Sequence, residues 1–214
     1  MRLRSHRKGD FMKIIVLGGF LGSGKTTLLM QLAKYITLQE SAPQVVILEN
    51  EIGEVGVDNQ LLAGAAFSVE NIFSGCICCS GAVDLVEGVK KIAHDYHPDW
   101  LLIEATGMAL PSSIRATLKD SLGLAAAVLC VVDANRWLRI RKASPDFSAE
   151  QLKKIDMVVI TKIDKVDAEK LAAAEADVRA NIKKTELYKV NALEPVDDAV
   201  FRALMARARE NEEI

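Results

Sequence analysis

Short apolar runs rich in β-branched residues alternate along this chain with longer segments of helical period. Such alternation predicts an α/β fold with a mostly parallel sheet of about seven strands, covered by helices on both faces. Most of the runs lack alternating polar residues, as expected for strands that are buried on both faces. The predicted strands are 13–18, 44–49, 66–70, 100–105, 125–133, 156–161 and 187–190. The predicted helices lie near 25–37, 82–95, 111–121, 148–154, 167–182 and 195–211.

The length and charge of the chain favour a single globular domain. Its 214 residues suffice to bury one core, whereas a second full domain would be cramped. A net charge of -2 argues against a nucleic-acid or membrane surface. Residues 1–11 are basic and lack the apolar stretch of a secretory signal. We expect them to form a flexible tail, and residues 12–214 to form the domain. With no apolar run near the roughly 20 residues of a membrane span and no spread of paired cysteines, we expect a cytoplasmic protein.

The segment "GGFLGSGKTTLL" contains Gly19, four further residues, and then Gly24, Lys25 and Thr26. This G-x-x-x-x-G-K-[ST] phosphate loop lies between a predicted strand and a predicted helix, where its mechanism requires it. Glycines let successive N–H groups point at phosphate oxygens, and the helix adds its positive end. Lys25 is expected to reach the β- and γ-phosphates, and the Thr26 hydroxyl to bind Mg²⁺. The residues predicted to contact the nucleotide here are Gly19, Gly22, Ser23, Gly24, Lys25, Thr26 and Thr27.

The base preference is indicated by "VVITKID", a strand that ends in Thr161, Lys162 and Asp164. It resembles the N/T-K-x-D guanine motif, with threonine in place of the usual asparagine. A carboxylate at Asp164 accepts from the ring N–H and the amine of guanine, whereas adenine offers no such pair of donors. GTP is therefore favoured over ATP, although a surface Lys-x-Asp beyond a strand is the simpler alternative. Asn191 and Ala192, after the last strand, are expected to close over the base.

Carboxylates also follow two other predicted strands. Glu104 and Gly107 belong to "LLIEATGMALP", and the segment "LENEIGEVGVD" carries Glu49, Glu51, Glu54 and Asp58. Carboxyl ends of parallel strands face the ligand crevice of an open α/β sheet, and acidic groups that face a triphosphate need a cation between them. Asp58 fits a helix N-cap equally well, and Glu51 fits a solvated loop.

Three cysteines, Cys76, Cys78 and Cys79, lie together in "FSGCICCSG". Cys76 and Cys79 also match a redox C-x-x-C pair, but thioredoxin-like folds do not begin with a phosphate loop. The flanking glycines and serines indicate a turning loop rather than core packing, and thiolates suit Zn²⁺ or Cu(I), with Co²⁺ also possible. Three sulfurs from four residues seldom complete a tetrahedron, so a further ligand is expected from Glu49, Glu54 or a second subunit.

Other conspicuous residues have simpler interpretations. Cys130 lies within "AAAVLCVV" and is expected to be a buried core thiol. His94 and His97 end a helix and are expected to lie on the surface. Asp133 follows its strand at the crevice edge, where a structural or switch-supporting role is expected.

Together, the segments "GGFLGSGKTTLL", "ENEIGEVGVD", "GCICC", "EATG" and "TKID" resemble, in this order, the GTPase domain of the CobW family. The resemblance runs from about Lys13 to about Val190 and extends to the nickel chaperones HypB and UreG of the SIMIBI branch. It implies a GTP-hydrolysing metallochaperone or metal-cofactor insertion protein that binds Zn²⁺ or Co²⁺ at its C-x-C-C motif. It also implies that "EATG" is a nucleotide-responsive switch, with Glu104 near Mg²⁺ and Gly107 near the γ-phosphate.

The expected activity is a Mg²⁺-dependent GTPase, slow without a partner, in which Lys25, Thr26 and Glu104 are the catalytic residues. The expected partners are a client metalloenzyme and a nucleotide-dependent second copy. Full CobW-type proteins carry a further C-terminal domain, which we expect to be absent here or supplied by another chain. Two alternatives remain, namely a GTPase that gates or reactivates a cofactor enzyme, such as a corrinoid protein, and a nucleotide-dependent interaction module.

Overall fold

A computed structural model describes residues 12–39, 43–49, 67–71 and 81–210, with only the backbone described at residue 49, at 67–71 and at residue 81. Seven strands form one sheet in the order β3-β2-β4-β1-β5-β6-β7. Every pairing between them is parallel. The strands are β1 Lys13–Gly18, β2 Val45–Glu49, β3 Phe67–Asn71, β4 Trp100–Glu104, β5 Ala127–Asp133, β6 Met157–Thr161 and β7 Glu186–Lys189. The predicted α/β fold with a parallel sheet is therefore confirmed.

Helices cover both faces of this sheet. They are α1 Lys25–Gln39, α2 Gly81–Asp95, α3 Pro111–Leu122, α4 Trp137–Ala143, α5 Pro145–Gln151, α6 Ala168–Asn181 and α7 Asp198–Glu210, with a 3-10 turn at Ile163–Lys165. Apolar residues of α1 and α7 pack on one face, and those of α2, α3 and α6 pack on the other. Alternate residues of β1, such as Ile14 and Ile15, enter opposite cores, which explains why this strand is apolar throughout. Among the described helices, none is both long and apolar enough to cross a membrane.

The helical segment after β5 differs from the prediction. One helix was expected at 148–154, but the chain forms two short ones, Trp137–Ala143 and Pro145–Gln151. Pro145 occupies the first turn of α5, where its missing N–H costs nothing, so this helix begins earlier than expected. Helix α4 spans seven residues, which is too short to show a clear period in the sequence.

Strand order creates a crevice at the carboxyl end of β1. The chain places β4 on one side of β1 and β5 on the other, so connections leave in opposite directions at this point. Gly18, Glu104 and Asp133 end these three strands and therefore surround the same crevice. The predicted phosphate loop begins there.

Cys130 lies on β5 with 1% of its surface exposed, and burial raises the pKa of its thiol to about 12. The reactive form of cysteine is the thiolate, so we expect Cys130 to be inert in the folded protein. In a Cys76/Cys78/Cys79→Ser variant at about pH 8, an aromatic disulfide reagent should label no thiol in native buffer and one thiol per chain in denaturant. Stoichiometric labelling of the native variant would contradict this burial.

Candidate functional site

The loop between β1 and α1 depends on glycine at three positions. Gly19, Gly22 and Gly24 have φ values of 128°, 68° and 93°, a region that side chains rarely adopt. A Cβ at Gly19 would also lie 2.2 Å from the carbonyl oxygen of Val131 on β5. The loop therefore adopts its path because glycines allow both the positive φ and the close approach to β5.

Side chains from the ends of β5 and β6 hold the outer side of this loop. Each donates a hydrogen bond to the carbonyl oxygen of one of three successive loop residues. The pairs are Arg136 Nη2 with Leu21, Lys162 Nζ with Gly22, and Thr161 Oγ1 with Ser23, the last at 2.6 Å. Because C=O and N–H of a trans peptide point in opposite directions, these bonds turn the N–H groups of Gly22, Ser23 and Gly24 away from β5 and β6. The Ser23 N–H donates to the Phe20 carbonyl at 3.1 Å, which leaves those of Gly22 and Gly24 as the candidates for anion contacts.

Asp133 lies at the centre of this arrangement and is 3% exposed. Its carboxylate accepts from Arg136 Nε and Lys162 Nζ, each at 2.8 Å, and from the backbone N–H of Asn135 at 2.9 Å. Burial acts to raise the pKa of Asp133, but the hydrogen bonds and charges of Lys162 and Arg136 outweigh it and hold this pKa below its usual value. The carboxylate is therefore ionised at neutral pH and fixes both cations, which is the structural role expected for it.

Lys25, Thr26 and Glu104 meet at the start of α1. Thr26 Oγ1 donates to Glu104 Oε1 at 3.0 Å, and Lys25 Nζ lies 3.8 Å from the same oxygen. The ammonium also donates to the Phe20 carbonyl oxygen at 3.4 Å. Both charged side chains are nearly buried, with 5% and 6% of their surface exposed. The structure thus brings together the three residues that the sequence singled out for chemistry.

The segment after β4 lies against the phosphate loop. A Cβ at Gly107 would lie 2.5 Å from the backbone nitrogen of Leu21, so only glycine fits this approach. Two residues further on, the Ala109 carbonyl accepts from Nε2 of the fully buried Gln151 on α5, at 2.9 Å. Sequence reasoning missed Gln151, because no local pattern marks a contact between residues so far apart. The expected switch segment 104–107 thus contacts the loop through Gly107, and Ala109, just after it, contacts α5.

The side chains of the predicted guanine motif make two different kinds of contact. Thr161 is buried and donates to the loop carbonyl of Ser23 and, at 3.2 Å, to that of Val132, so its hydroxyl connects strand and loop. Asp164 is exposed in the 3-10 turn, where a hydrogen bond and charge from Lys165 hold the pKa of its carboxyl below the usual value. The Asp164 carboxylate is thus ionised, with 27% of its side chain exposed.

Asn191 and Ala192 lie in the segment that follows β7, and α1 holds this segment. Gln31 Nε2 donates to the carbonyl of Ala192 at 2.8 Å, and Gln31 Oε1 accepts from the N–H of Val196 at 3.0 Å. The Asn191 amide donates to Glu194 Oε1 at 3.0 Å. Helix α1 therefore carries Lys25 at its start and, through Gln31, holds the segment that is expected to close over the base. The Gln31 contacts are a second feature that the sequence did not predict.

The remaining predicted site residues have simpler placements. Thr27 is exposed in the first turn of α1. Ser23 is buried, and its Oγ has no hydrogen-bond partner among the residues that the structure describes. His94 is exposed beside Asp95, as predicted for a surface residue.

The expected metal ligands fall largely outside the described residues. Those outside are Cys76, Cys78, Cys79 and Glu54, together with Glu51 and Asp58. The backbone of Glu49 is described, and it pairs in register with Glu104 of the neighbouring strand. Within the described ranges, no group of three or more His, Cys, Asp or Glu residues is arranged to hold a metal ion.

Residues 13–189 match the model of a protein family described as CobW/HypB/UreG, nucleotide-binding domain. The zinc chaperone YeiR of Escherichia coli K12 is 33% identical over 158 residues, which cover 72% of this chain and 47% of that protein. The zinc-regulated GTPase metalloprotein activator 1 of Dictyostelium discoideum is 33% identical over 170 residues, or 68% of this chain and 34% of that protein. The chain thus matches about half or less of these relatives' length.

Among solved structures, the hydrogenase maturation factor HypB from Archaeoglobus fulgidus superposes with a TM-score of 0.64. The alignment covers 93% of this chain and 89% of that one, at 20% sequence identity. At this identity the likeness shows a shared fold.

The buried position of Asp133 generates a prediction for an Asp133→Asn variant. We expect a loss of about 3 kcal/mol in unfolding free energy at neutral pH, because Lys162 and Arg136 would keep their charges without the carboxylate. The folded pKa lies below the unfolded value, so this contribution is present above about pH 4 and disappears as pH falls through the folded pKa.

Urea unfolding of wild type and variant between about pH 3 and pH 7 measures this difference. An Asp120→Asn variant, altered at an exposed residue of α3, is the control and should stay within about 0.5 kcal/mol of wild type. A difference between wild type and Asp133→Asn that is independent of pH would contradict the account.

Proposed function

The chain belongs to the CobW/HypB/UreG nucleotide-binding domain family, and from this premise we propose that it is a Mg²⁺-dependent GTPase that delivers zinc or a similar metal to a client protein. The observation that carries the nucleotide part is the meeting of Thr26 with the buried Lys25 and Glu104, beside a glycine loop whose carbonyls are held outward. The metal part is supported by the names of relatives, which include a zinc chaperone and a zinc-regulated metalloprotein activator.

The residues at the start of α1 suit a phosphate with its magnesium ion. The Thr26 hydroxyl and the Glu104 carboxylate lie 3.0 Å apart and offer hard oxygen atoms, the donors that Mg²⁺ prefers. In our proposal Thr26 binds the ion directly and Glu104 lies near it, while Lys25 contacts the β- and γ-phosphates. When bound, Mg²⁺ would neutralise charge on the phosphoryl oxygens during transfer.

The protein's own contribution to hydrolysis is positioning and electrostatic stabilisation. Lys25 supplies a buried positive charge, and the first N–H groups of α1 add the positive end of a helix. Glu104 Oε1 accepts from Thr26 and lies beside Lys25, so in this proposal the carboxylate positions these two residues and no residue of the chain is assigned to activate water. We therefore propose slow turnover that a partner accelerates.

Guanine selectivity is assigned to Asp164, with Asn191 and Ala192 closing over the base. Asp164 is exposed and ionised beside the loop-bound Lys162, so its carboxylate is available to the two guanine donors. The Gln31 hydrogen bonds keep the segment after β7 next to α1.

The metal cargo is assigned to Cys76, Cys78 and Cys79, with Glu49 or Glu54 as a further ligand. Thiolates favour zinc, and three sulfurs with one weaker oxygen form a site that can release its ion. Backbone pairing of Glu49 with Glu104 supports a coupling between cargo and nucleotide, because the metal-bearing segment begins beside the carboxylate nearest Thr26. In this proposal the nucleotide state changes metal affinity.

The proposed partners are a client metalloenzyme and, in the GTP state, a second copy of the chain. Leu21 on the phosphate loop is 71% exposed and Met108 on the adjoining segment is 67% exposed. Leu21 and Met108 belong to the two segments that meet where Gly107 approaches the Leu21 backbone, so a partner that covers both side chains would contact both segments.

An Asp164→Asn variant tests the guanine assignment. The amide lacks the second acceptor for the guanine N–H and amine, so GTP affinity should fall by about 100-fold or more. Xanthosine triphosphate carries an oxygen where guanine has its amine, and the Asn N–H can donate to it, so its affinity should rise. Fluorescence titrations with GTP, ATP and xanthosine triphosphate measure this, with Glu169→Gln, at an exposed position of α6, as the control. An unchanged order of nucleotide preference would exclude Asp164 from the base site.

A Cys76/Cys78/Cys79→Ser variant tests the metal assignment. Zn²⁺ titrations of reduced protein, with Mg²⁺ and either GDP or a non-hydrolysable GTP analogue, should show tight binding that depends on the nucleotide in wild type and weakens by at least about 100-fold in the variant. Cys130→Ala serves as the control, because that thiol lies in the core. Equal zinc affinities in the two nucleotide states would refute the coupling, and tight binding by the triple variant would refute the site.

A further inference from the structure

Arg136 connects the end of β5 to the tip of the phosphate loop. Its Nε donates to Asp133 Oδ2 at 2.8 Å, and its Nη2 donates to the carbonyl oxygen of Leu21. A Cβ placed at Gly22 would lie 3.0 Å from Nη2, so the guanidinium lies directly against the loop backbone. One third of the side chain is exposed.

The chemistry of the guanidinium suits this position. Its N–H groups form a rigid planar fork, so one group donates to the buried carboxylate while another donates to the carbonyl. A lysine ammonium is a single point that cannot maintain both contacts in the same fixed geometry. Arg136 therefore sets the distance and direction between Asp133 and Leu21.

Peptide planarity converts this contact into an orientation. The carbonyl of Leu21 and the N–H of Gly22 belong to one trans peptide and point in opposite directions. When Arg136 fixes the carbonyl on the β5 side, the Gly22 N–H is fixed toward the other side of the loop. In phosphate loops the N–H groups supply the anion contacts.

Helices α4 and α5, which follow Arg136, are themselves anchored to the loop. Trp137 and Phe147 both pack edge-on against Phe20, with ring centroids 6.4 Å and 5.7 Å apart. Trp137 Nε1 also donates to Asp177 of α6 at 2.7 Å. The backbone that carries Arg136 is thus held by contacts independent of the guanidinium, so removing the side chain should leave the helix in place.

We propose that Arg136 is a positioning residue for phosphate binding, which it serves by holding the Leu21 carbonyl and thereby aiming the Gly22 N–H at the nucleotide phosphates. This inference rests on the proposed GTP-binding function and adds a residue to it. Loss of this orientation should affect nucleotides unequally, because the oriented N–H groups matter most for ligands that carry a β-phosphate. Losing Arg136 should reduce the preference for GDP over GMP while the base site still operates.

The test compares wild type with Arg136→Ala, Arg136→Lys and the control Arg139→Ala, which alters an exposed arginine of α4. Affinities for GTP, GDP and GMP with Mg²⁺ are measured by displacement of a fluorescent guanine nucleotide, and the active fraction is taken from binding stoichiometry. For Arg136→Ala we expect GTP and GDP affinities to fall by about tenfold or more and GMP affinity by less than about twofold. Arg136→Lys should lie between wild type and Arg136→Ala, and Arg139→Ala should match wild type.

The possible outcomes separate this inference from the proposed function. If wild type binds no guanine nucleotide, the proposed function fails and this inference falls with it. If wild type binds GTP but Arg136→Ala binds each of the three nucleotides as tightly as wild type does, only the positioning role is overturned. The same holds if Arg136→Ala loses affinity for GTP, GDP and GMP by the same factor. Should Arg136→Ala fail to fold, Arg136→Lys decides the question, because unchanged GTP and GDP affinities there would also overturn the proposal.

Discussion

The site depends on the outward fixing of three successive carbonyl groups in the phosphate loop. Donors from the ends of β5 and β6 bind the carbonyls of Leu21, Gly22 and Ser23. Since peptide planarity opposes C=O and N–H, this determines where the N–H groups of the loop point. Glycines make the path possible because they accept positive φ angles. Glycine backbone also populates many other conformations, so hydrogen bonds from outside the loop are needed to select this one. Preorganised N–H groups bind an anion without the cost of ordering the loop at that moment.

One buried carboxylate holds the donors in turn. Asp133 binds both Lys162 and Arg136, and each of those cations also binds a loop carbonyl. Lys162 adopts a left-handed conformation with φ of 55°, which costs a non-glycine residue roughly 1–2 kcal/mol. Lys162 also precedes the turn that carries Asp164. The turn that carries Asp164 and the phosphate loop are therefore joined through Lys162.

Local patterns in the sequence predicted most of the fold and the chemical centre of the site. Most of the seven strands follow from continuous apolar runs, and Lys25, Thr26 and Glu104 follow from motifs at strand ends. The contacts that position these groups were not predictable, because they join residues distant in sequence. Arg136 and Leu21 are 115 positions apart, and the arginine precedes a helix too short to show a period. Thr161 is predicted from its motif to belong to the base site, and the motif gives no sign that its hydroxyl also donates to the Ser23 carbonyl, 138 positions earlier in the chain.

Backbone amide shifts in ¹⁵N-labelled protein would test the central claim most directly, since they report which N–H groups meet the ligand. Addition of Mg²⁺ and GDP should shift most strongly the amides of Gly22, Gly24, Lys25 and Thr26. Those of Gly22 and Gly24 follow carbonyls that are held toward β5 and β6, and those of Lys25 and Thr26 lie in the first turn of α1. Saturable shifts concentrated on these amides are the result that the account predicts. Saturable binding that left them unmoved and shifted amides elsewhere would show that the outward-held carbonyls do not create the phosphate site.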